Sequence, residues 1–252
     1  MTVAAPPLPN AEIVENALLG GRVRLRQPAK GYRAGMDAAL LAAAVHCEPD
    51  QRVIEAGCGA GAVLMQIAAR RPGVALAGVE RDAAMAGLAR ENAVLNRVDA
   101  EIRTGDVAAG FRALALEPFD WAVSNPPFFD DAGALRAPAA GKRGAWIADD
   151  GLAAWTGFLL KAVREGGRIV VIHRADRLGD LLALLGDKAG SFAVRGVHPH
   201  ADEPAKRVLV HATKTGKAPL RLLPPLVLHE RGGAKHTPEA EAILRGEAGV
   251  GW

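Results

Sequence analysis

The sequence predicts an α/β fold in which a mostly parallel β-sheet carries helices on both faces, and three observations support this. Short apolar runs alternate with helix-like segments at a spacing that leaves room for one helix between successive strands. Glycine occupies every second position of one strand-to-helix loop, at Gly57, Gly59 and Gly61. A later apolar run stops at Asn125 and two prolines, which end a strand because proline has no backbone donor and a fixed φ.

The predicted elements follow from the periodicity in chain order. A short strand pair within residues 17–26 and a glycine-bracketed loop precede an apolar helix at 36–46, whose start is favoured by Asp37. Two late strands are joined by a link too short for a parallel crossover, which predicts an antiparallel hairpin at the sheet edge. Thr237 caps a last helix that ends near Arg245. Seven sheet strands are predicted, at 52–56, 74–79, 100–103, 119–124, 167–173, 192–197 and 207–212, with helices between them at 62–70, 82–96, 152–164 and 178–188.

Composition limits the classes of protein that this chain can belong to. Its 252 residues suffice for one α/β domain with a small appendage, and 50% hydrophobic with 23% charged residues is ordinary globular composition. The two cysteines, Cys47 and Cys58, support neither a disulfide framework nor a zinc site. Because the sequence has no signal-like segment and no apolar run of 18 residues, we expect a soluble cytoplasmic protein with no membrane partner and no metal.

Positive charge is concentrated towards the two ends of the chain. Between residues 16 and 36 there are five bases and no acid, and residues 195–236 carry eight bases and three acids, a net charge of +5. The whole chain has a formal charge of only +3. Two basic segments around a near-neutral middle suggest a polyanionic partner, with solvated surface charge as the alternative.

The glycine loop and the next strand end indicate a nucleoside cofactor. Glycine lets the backbone turn tightly and approach a ligand closely. Glu55 precedes the loop, and Glu80 ends the second strand, where a carboxylate can accept hydrogen bonds from both hydroxyls of a ribose. NAD would be served equally well by this pattern, so these residues alone leave the cofactor open.

The run Asn125-Pro126-Pro127-Phe128 resembles the (Asp/Asn/Ser)-Pro-Pro-(Tyr/Phe) signature of methyltransferases that act on amine or amide nitrogen. An exocyclic amine is a poor nucleophile because its lone pair is delocalised into the ring. Hydrogen bonds from the amine to the Asn125 amide oxygen and the Pro126 carbonyl favour a pyramidal nitrogen. Phe128 offers a face for a flipped-out base, worth about 1–3 kcal/mol. Catalysis then depends on orientation and electrostatics rather than on a strong base.

The glycine loop is similar to motif I of the class I S-adenosylmethionine (SAM)-dependent methyltransferases, which implies their Rossmann-like fold and SAM as cofactor. Under this resemblance the four residues of the Asn-Pro-Pro-Phe run are catalytic. Asp106 corresponds to the residue that contacts the cofactor's adenine amine, with an ordinary turn aspartate as the alternative. The implied cofactor contacts are Tyr32, Arg33, Asp37, Glu55, Gly57, Cys58, Gly59, Gly61, Glu80, Arg81, Asp106, Val107 and Asn125.

Over residues 16–245 the chain most resembles the bacterial family that methylates the adenosine just 3′ of the anticodon in a valine tRNA. The matching segments are the Gly31-Tyr32-Arg33 loop with residues 36–41, residues 124–129, residues 204–210 and residues 228–244. Ribosomal RNA guanine-N2 enzymes and protein glutamine N5 enzymes share the tetrapeptide and stay open as alternatives. A non-enzymatic SAM-fold protein that binds RNA is a further alternative.

The resemblance implies a tRNA, or another structured RNA, as substrate and partner, and the sequence does not distinguish a monomer from a homodimer. The RNA is expected to contact basic residues on the loops and at the ends of the chain. We expect three regions: an N-terminal segment with short strands (1–35), the SAM-dependent methyltransferase domain (36–213), and a basic tail with a short helix packed on that domain (214–252). The candidate RNA contacts are Arg24, Arg136, Lys142, Arg143, Lys206 and Arg207.

Overall fold

The structure, a computed structural model, describes residues 12–30, 33–127, 151–232 and 234–252. It opens with an antiparallel hairpin of β1 (Ile13–Leu18) and β2 (Val23–Pro28). The main sheet follows, and within the described residues it has eight strands. These are β3 (Arg52–Ala56), β4 (Ala75–Glu80), β5 (Ala100–Thr104), β6 (Phe119–Ser124), β7 (Val163–Arg174), β8 (Ala189–His198), β9 (Arg207–Lys214) and β10 (Arg221–Val227).

The strand order is β10-β8-β9-β7-β6-β3-β4-β5, and all neighbouring pairs are parallel except the two that involve β9. Neighbouring residues of one strand point to opposite faces, so Val53 and Ile54 belong to different hydrophobic clusters. Each cluster packs its sheet face against helices, which confirms the predicted fold class. The helices are α1 (Met36–Ala43), α2 (Ala62–Arg70), α3 (Ala83–Leu95), α4 (Leu152–Ala162), α5 (Leu178–Gly186) and α6 (Pro238–Arg245).

Strand β10 is the eighth strand, one more than the seven predicted. It contains Pro224 and Pro225, and the register with β8 shifts between Leu223 and Leu226. Proline cannot donate to a neighbouring strand, so a proline-containing strand is tolerated at a sheet edge or bulge. The predicted antiparallel hairpin of β8 and β9 is present, but β10 covers it and forms the edge instead.

The β1–β2 hairpin is fixed beside the glycine loop by one buried side chain, Asn92 of α3. Its Nδ2 donates to the carbonyl oxygens of Arg26 and Ala60 at 2.8 and 2.9 Å, and its Oδ1 accepts from the Arg26 backbone N–H at 2.8 Å. Asn92 is fully buried, so each of these bonds replaces water that the side chain has lost. The hairpin and the loop therefore keep a fixed relative position.

The C-terminal segment packs back on the first helices. The Trp252 indole N–H donates to the Ala44 carbonyl at 2.8 Å, and the Val250 backbone N–H donates to Ala43 at 2.9 Å. Thr237 caps α6 by accepting a hydrogen bond from the Ala240 N–H at 3.2 Å. In the part of the chain that is described, no helix has the length and apolar character needed to cross a membrane.

Candidate functional site

A cavity of about 630 Å³ opens where β3, β4 and β6 end. In a parallel α/β sheet, strand carboxyl ends lie along one edge, and β3 has a neighbour on each side. Thirteen of the residues singled out in the sequence line this cavity, although they are spread over more than 160 positions of the chain. They are Asp37, Glu55, Gly57, Cys58, Gly59, Glu80, Arg81, Asp106, Val107, Asn125, Pro126, Pro127 and Arg207.

The glycine loop has the left-handed backbone that its composition predicts. Gly57 has φ +70° and Gly59 has φ +53°. The Gly57 and Cys58 backbone N–H groups both donate to the Val79 carbonyl, at 2.8 and 3.0 Å, which bends the loop over the end of β4. A Cβ atom on Gly57 would lie 2.3 Å from Cη2 of Trp155, so glycine is required here for space as well as for conformation.

Two other members of the loop have packing contacts. Cys58 is buried, and its Sγ lies where a Cβ on Gly78 would meet it at 2.8 Å. Burial raises the pKa of the Cys58 thiol well above its usual range, so this thiol is not a nucleophile. Gly61 is the N-cap of α2 and faces Ala89 of α3, and it does not line the cavity.

Glu80 connects the glycine loop after β3 with the turn that follows β4, beside the cavity. Its Oε2 accepts from the Gly59 N–H and its Oε1 from the Asp82 N–H, both at 2.9 Å. A carboxylate oxygen has two acceptor sites, so each oxygen keeps capacity for a ligand hydroxyl. The carboxylate is thus oriented by backbone donors before any ligand binds.

Glu55 is the most deeply buried carboxyl group of the cavity wall, with 2% of its surface exposed. Its Oε2 has no hydrogen-bond partner among the described residues. Burial, and next the charge of Glu80, raises the pKa of Glu55 well above its usual range. A buried acceptor without a partner beside a cavity suits a ligand that brings a donor or a positive charge.

Asp106 lies beyond the end of β5. One of its oxygens, Oδ1, accepts from the Ala108 N–H at 2.8 Å and caps the 3-10 turn Val107–Ala109. The turn role considered in the sequence is therefore present, and Asp106 also lines the cavity. Both interpretations of this residue are compatible with its position.

Asn125 follows the last residue of β6. Ser124 pairs with Ala56 of β3, and its Oγ donates to the Ala56 carbonyl at 3.0 Å. This bond fixes the strand end immediately before Asn125, and Pro126 restricts the backbone after it. Phe128 lies outside the described residues, as do Tyr32, Arg136, Lys142 and Arg143.

The remaining basic candidates lie at different distances from the cavity. Arg207 Nε donates to Asp37 Oδ2 at 3.0 Å, which joins the start of β9 to α1 at the cavity wall. Lys206 is exposed beside it. Arg24 and Arg33 do not line the cavity: Arg24 pairs with Glu15 at 2.7 Å, and Arg33 donates to Asn16 at 3.1 Å.

Among the lining residues that were not predicted from the sequence, two have a polar or an aromatic side chain, Gln27 and Trp155. Gln27 is buried on β2 and accepts from the Ala34 N–H at 2.9 Å, but a strand glutamine gives no local sign of its location. Trp155 lies on α4 against Gly57, and as a helical tryptophan it was equally compatible with a core position. Among the described residues, no group of three or more His, Cys, Asp or Glu side chains could hold a metal ion.

The comparison with known proteins agrees with this geometry. Residues 33–140 match the Methyltransferase small domain family. The chain is 31% identical over 199 residues to a tRNA1(Val) (adenine(37)-N6)-methyltransferase of Dickeya chrysanthemi, with 76% of each chain covered. A protein of the same name from Trichodesmium erythraeum is 24% identical over 78% of this chain and 83% of its own. A release factor glutamine methyltransferase of Deinococcus radiodurans is 33% identical over 81 residues, which covers 32% of this chain and 28% of that protein.

Solved structures agree on the fold. A predicted O-methyltransferase from Agrobacterium tumefaciens has a TM-score of 0.70 and 28% identity, covering 85% of this chain and 98% of its own. The 16S rRNA N2 G1207 methyltransferase of T. thermophilus, solved with AdoMet and guanosine, has a TM-score of 0.56 and 21% identity over 83% of this chain and 52% of its own. Because the match to the Dickeya chrysanthemi protein extends over three quarters of both sequences, this chain belongs to the family of the tRNA1(Val) (adenine(37)-N6)-methyltransferases.

Proposed function

We propose that this chain transfers the methyl group of SAM to the exocyclic N6 amine of an adenine in tRNA. The observation that carries the proposal is that Asn125, Pro126 and Pro127 line the same cavity as Glu80 and Asp106. One end of that cavity then has acceptors suited to a nucleoside, and the other has acceptors suited to an amine.

The described residues fit SAM as the cofactor. Glu80 keeps acceptor capacity for ribose hydroxyls, and Asp106 has an oxygen besides the one that caps its turn. The buried carboxyl group of Glu55 suits the ammonium group of the methionine part once it ionises, because a neighbouring positive charge offsets the burial that raises its pKa. When bound, SAM supplies an electrophilic methyl group on a positively charged sulfur.

The residues after β6 orient the acceptor. The Asn125 side-chain oxygen and the Pro126 carbonyl accept hydrogen bonds from the two amine protons, which favours a pyramidal nitrogen whose lone pair is no longer delocalised into the ring. The nitrogen becomes positively charged on methylation and then loses a proton readily, so a strong base is unnecessary. The contribution of Asn125 is therefore orientation of the amine and stabilisation of its developing charge.

The described lining of the cavity favours a nitrogen acceptor over an oxygen acceptor. A hydroxyl group must lose its proton before or during attack, which calls for a general base. The described lining includes no histidine or lysine. Of its four carboxyl groups, Glu55 is buried and Glu80 is engaged by two backbone N–H groups. Asp37 pairs with Arg207, and one oxygen of Asp106 caps a turn. An amine that needs only acceptors matches these groups better.

The acceptor class can be tested with methyl-labelled SAM and the purified chain, offered tRNA, ribosomal RNA and a release factor in parallel. We expect label in tRNA. Label confined to the protein substrate would support a glutamine methyltransferase, which the short match to the Deinococcus radiodurans protein makes the specific alternative.

Replacing Glu80 with glutamine is expected to weaken SAM binding by about 10- to 100-fold, because a hydrogen bond to a charged group contributes roughly 1.5–3 kcal/mol. The amide also presents an N–H group towards one of the two backbone donors that the carboxylate now accepts. Titration calorimetry without RNA measures the Kd. Glu101→Gln, on the exposed face of β5 and outside the cavity lining, is the matched control. Equal Kd values for the two variants would refute the role of Glu80.

Replacing Glu55 with glutamine is expected to stabilise the ligand-free chain at pH 8 while weakening SAM binding. The raised pKa means that, above the ordinary value of 4.5, the folded state holds a proton that the unfolded state has released. Stability therefore falls as pH rises from that value, and the amide removes this loss. Thermal unfolding at pH 5 and pH 8 measures the difference. A wild-type melting temperature that rises between these values more than that of the variant would contradict the account.

A further inference from the structure

Trp155 lines the cavity and lies against the backbone of Gly57. Its Cη2 and Cζ3 atoms lie 2.3 and 2.8 Å from the position that a Cβ on Gly57 would take, so the outer edge of the indole rests on the glycine. The residue belongs to the first turns of α4 and lines the cavity together with Ala154 and Gly151. An aromatic ring is thus held on the first residue of the loop that follows β3.

The order of the strands indicates which part of a bound cofactor would lie near this ring. Strand β3 lies between β4, which ends at Glu80, and β6, which is followed by Asn125. Under the proposed function, the ribose binds at Glu80 and the acceptor amine at Asn125. We therefore expect the sulfur that carries the methyl group to lie between them, near the end of β3, where Trp155 contacts Gly57.

We propose that Trp155 recognises the positive charge of the SAM sulfonium through the face of its indole ring; the inference rests on the proposed function. The face of an aromatic ring attracts cations, and tryptophan does so most strongly. Methyl transfer breaks the carbon–sulfur bond, its electrons stay on sulfur, and the product thioether is neutral. The indole therefore favours the methyl donor over the demethylated product and assists product exchange.

This role differs from two others that an indole could have here. A tryptophan that only fills space would contact charged and neutral cofactors equally. A tryptophan that stacks on the acceptor base would affect RNA binding and leave the cofactor unaffected. The change in Kd for a charged cofactor, compared with the change for a neutral one, therefore distinguishes charge recognition from space filling and from base stacking.

The test is the Kd, measured by calorimetry without RNA, for SAM, for neutral S-adenosylhomocysteine, and for an analogue with an amine in place of the methyl sulfonium. Trp155→Leu is expected to raise the Kd of the two cationic ligands about 5- to 30-fold and that of the neutral ligand by less than about twofold. Trp155→Phe keeps an aromatic face, so its Kd values for the cationic ligands are expected to lie between those of wild type and Trp155→Leu. Trp252→Leu, outside the cavity lining, is the matched control for loss of an indole, and unfolding curves verify that each variant is folded.

Equal weakening of all three ligands in Trp155→Leu would overturn this inference and leave the proposed function standing. Unchanged Kd values with a raised KM for RNA would likewise overturn it, in favour of base stacking. A wild-type chain that binds neither SAM nor S-adenosylhomocysteine would overturn the proposed function itself.

Discussion

Replacing Asn125 with alanine is expected to lower kcat/KM for RNA methylation by about 10²- to 10³-fold, the scale seen when one oriented polar group is lost from an electrostatic site. Alanine cannot accept the amine proton, so the nitrogen lone pair stays conjugated with the ring. The strand end itself should survive, because Ser124 and the prolines that fix it are unchanged. The Kd for SAM is expected to change by less than about threefold, since the substitution removes an acceptor for the amine.

Asn125→Asp is the matched control for this experiment, because it keeps an acceptor oxygen at the same position. Single-turnover rates with saturating RNA measure the chemical step, and calorimetry measures SAM binding separately. An Asn125→Ala variant with a rate within a few-fold of wild type would disprove the mechanism. If Asn125→Ala lowers both the single-turnover rate and the affinity for SAM, Asn125 contributes mainly by binding the cofactor.

Replacing Gly57 with alanine is expected to destabilise the chain and weaken SAM binding by more than about tenfold. An L residue at positive φ costs roughly 1–2 kcal/mol, and Gly57 has φ +70°. The added methyl group would also overlap the Trp155 indole at 2.3 Å, so the ring must move out of its place in the cavity wall. Backbone strain and steric overlap therefore act on the same residue.

Gly166→Ala separates the two effects. Gly166 has φ +72°, nearly the same backbone, and a Cβ there would meet no atom within 4 Å. In denaturant unfolding, Gly57→Ala is expected to lower the free energy of unfolding more than Gly166→Ala does, and only Gly57→Ala should raise the Kd for SAM. Equal losses would mean that the contact with Trp155 has no energetic consequence. Combining Gly57→Ala with Trp155→Leu should recover part of the difference in stability.

Half of the residues that line the cavity were named from the sequence, most of them because they stand at or just beyond strand ends. Glu55 and Glu80 are the penultimate residue of β3 and the last residue of β4. Asp106 and Asn125 follow the ends of β5 and β6 within two residues. Parallel strands bring their carboxyl ends to one edge of the sheet. Their spacing therefore carries three-dimensional information. For the same reason the order of strands and helices through residue 214 was predicted closely.

Residues that reach the site through tertiary packing could not be predicted. Asn92 is a helix residue whose bonds to Arg26 and Ala60 depend on how the hairpin packs against α3. Trp155 reaches Gly57 across nearly 100 positions of the chain. Strand β10 was missed because its two prolines obscure the strand pattern, and its location at the edge depends on the exposed side of β8.

The measurement that tests the account most directly is nucleoside analysis of tRNA after incubation with the purified chain and methyl-labelled SAM. We predict that the label is recovered as N6-methyladenosine and that the Asn125→Ala variant transfers almost none. Label in N2-methylguanosine, or labelled protein with unlabelled RNA, would contradict adenine N6 of tRNA as the acceptor.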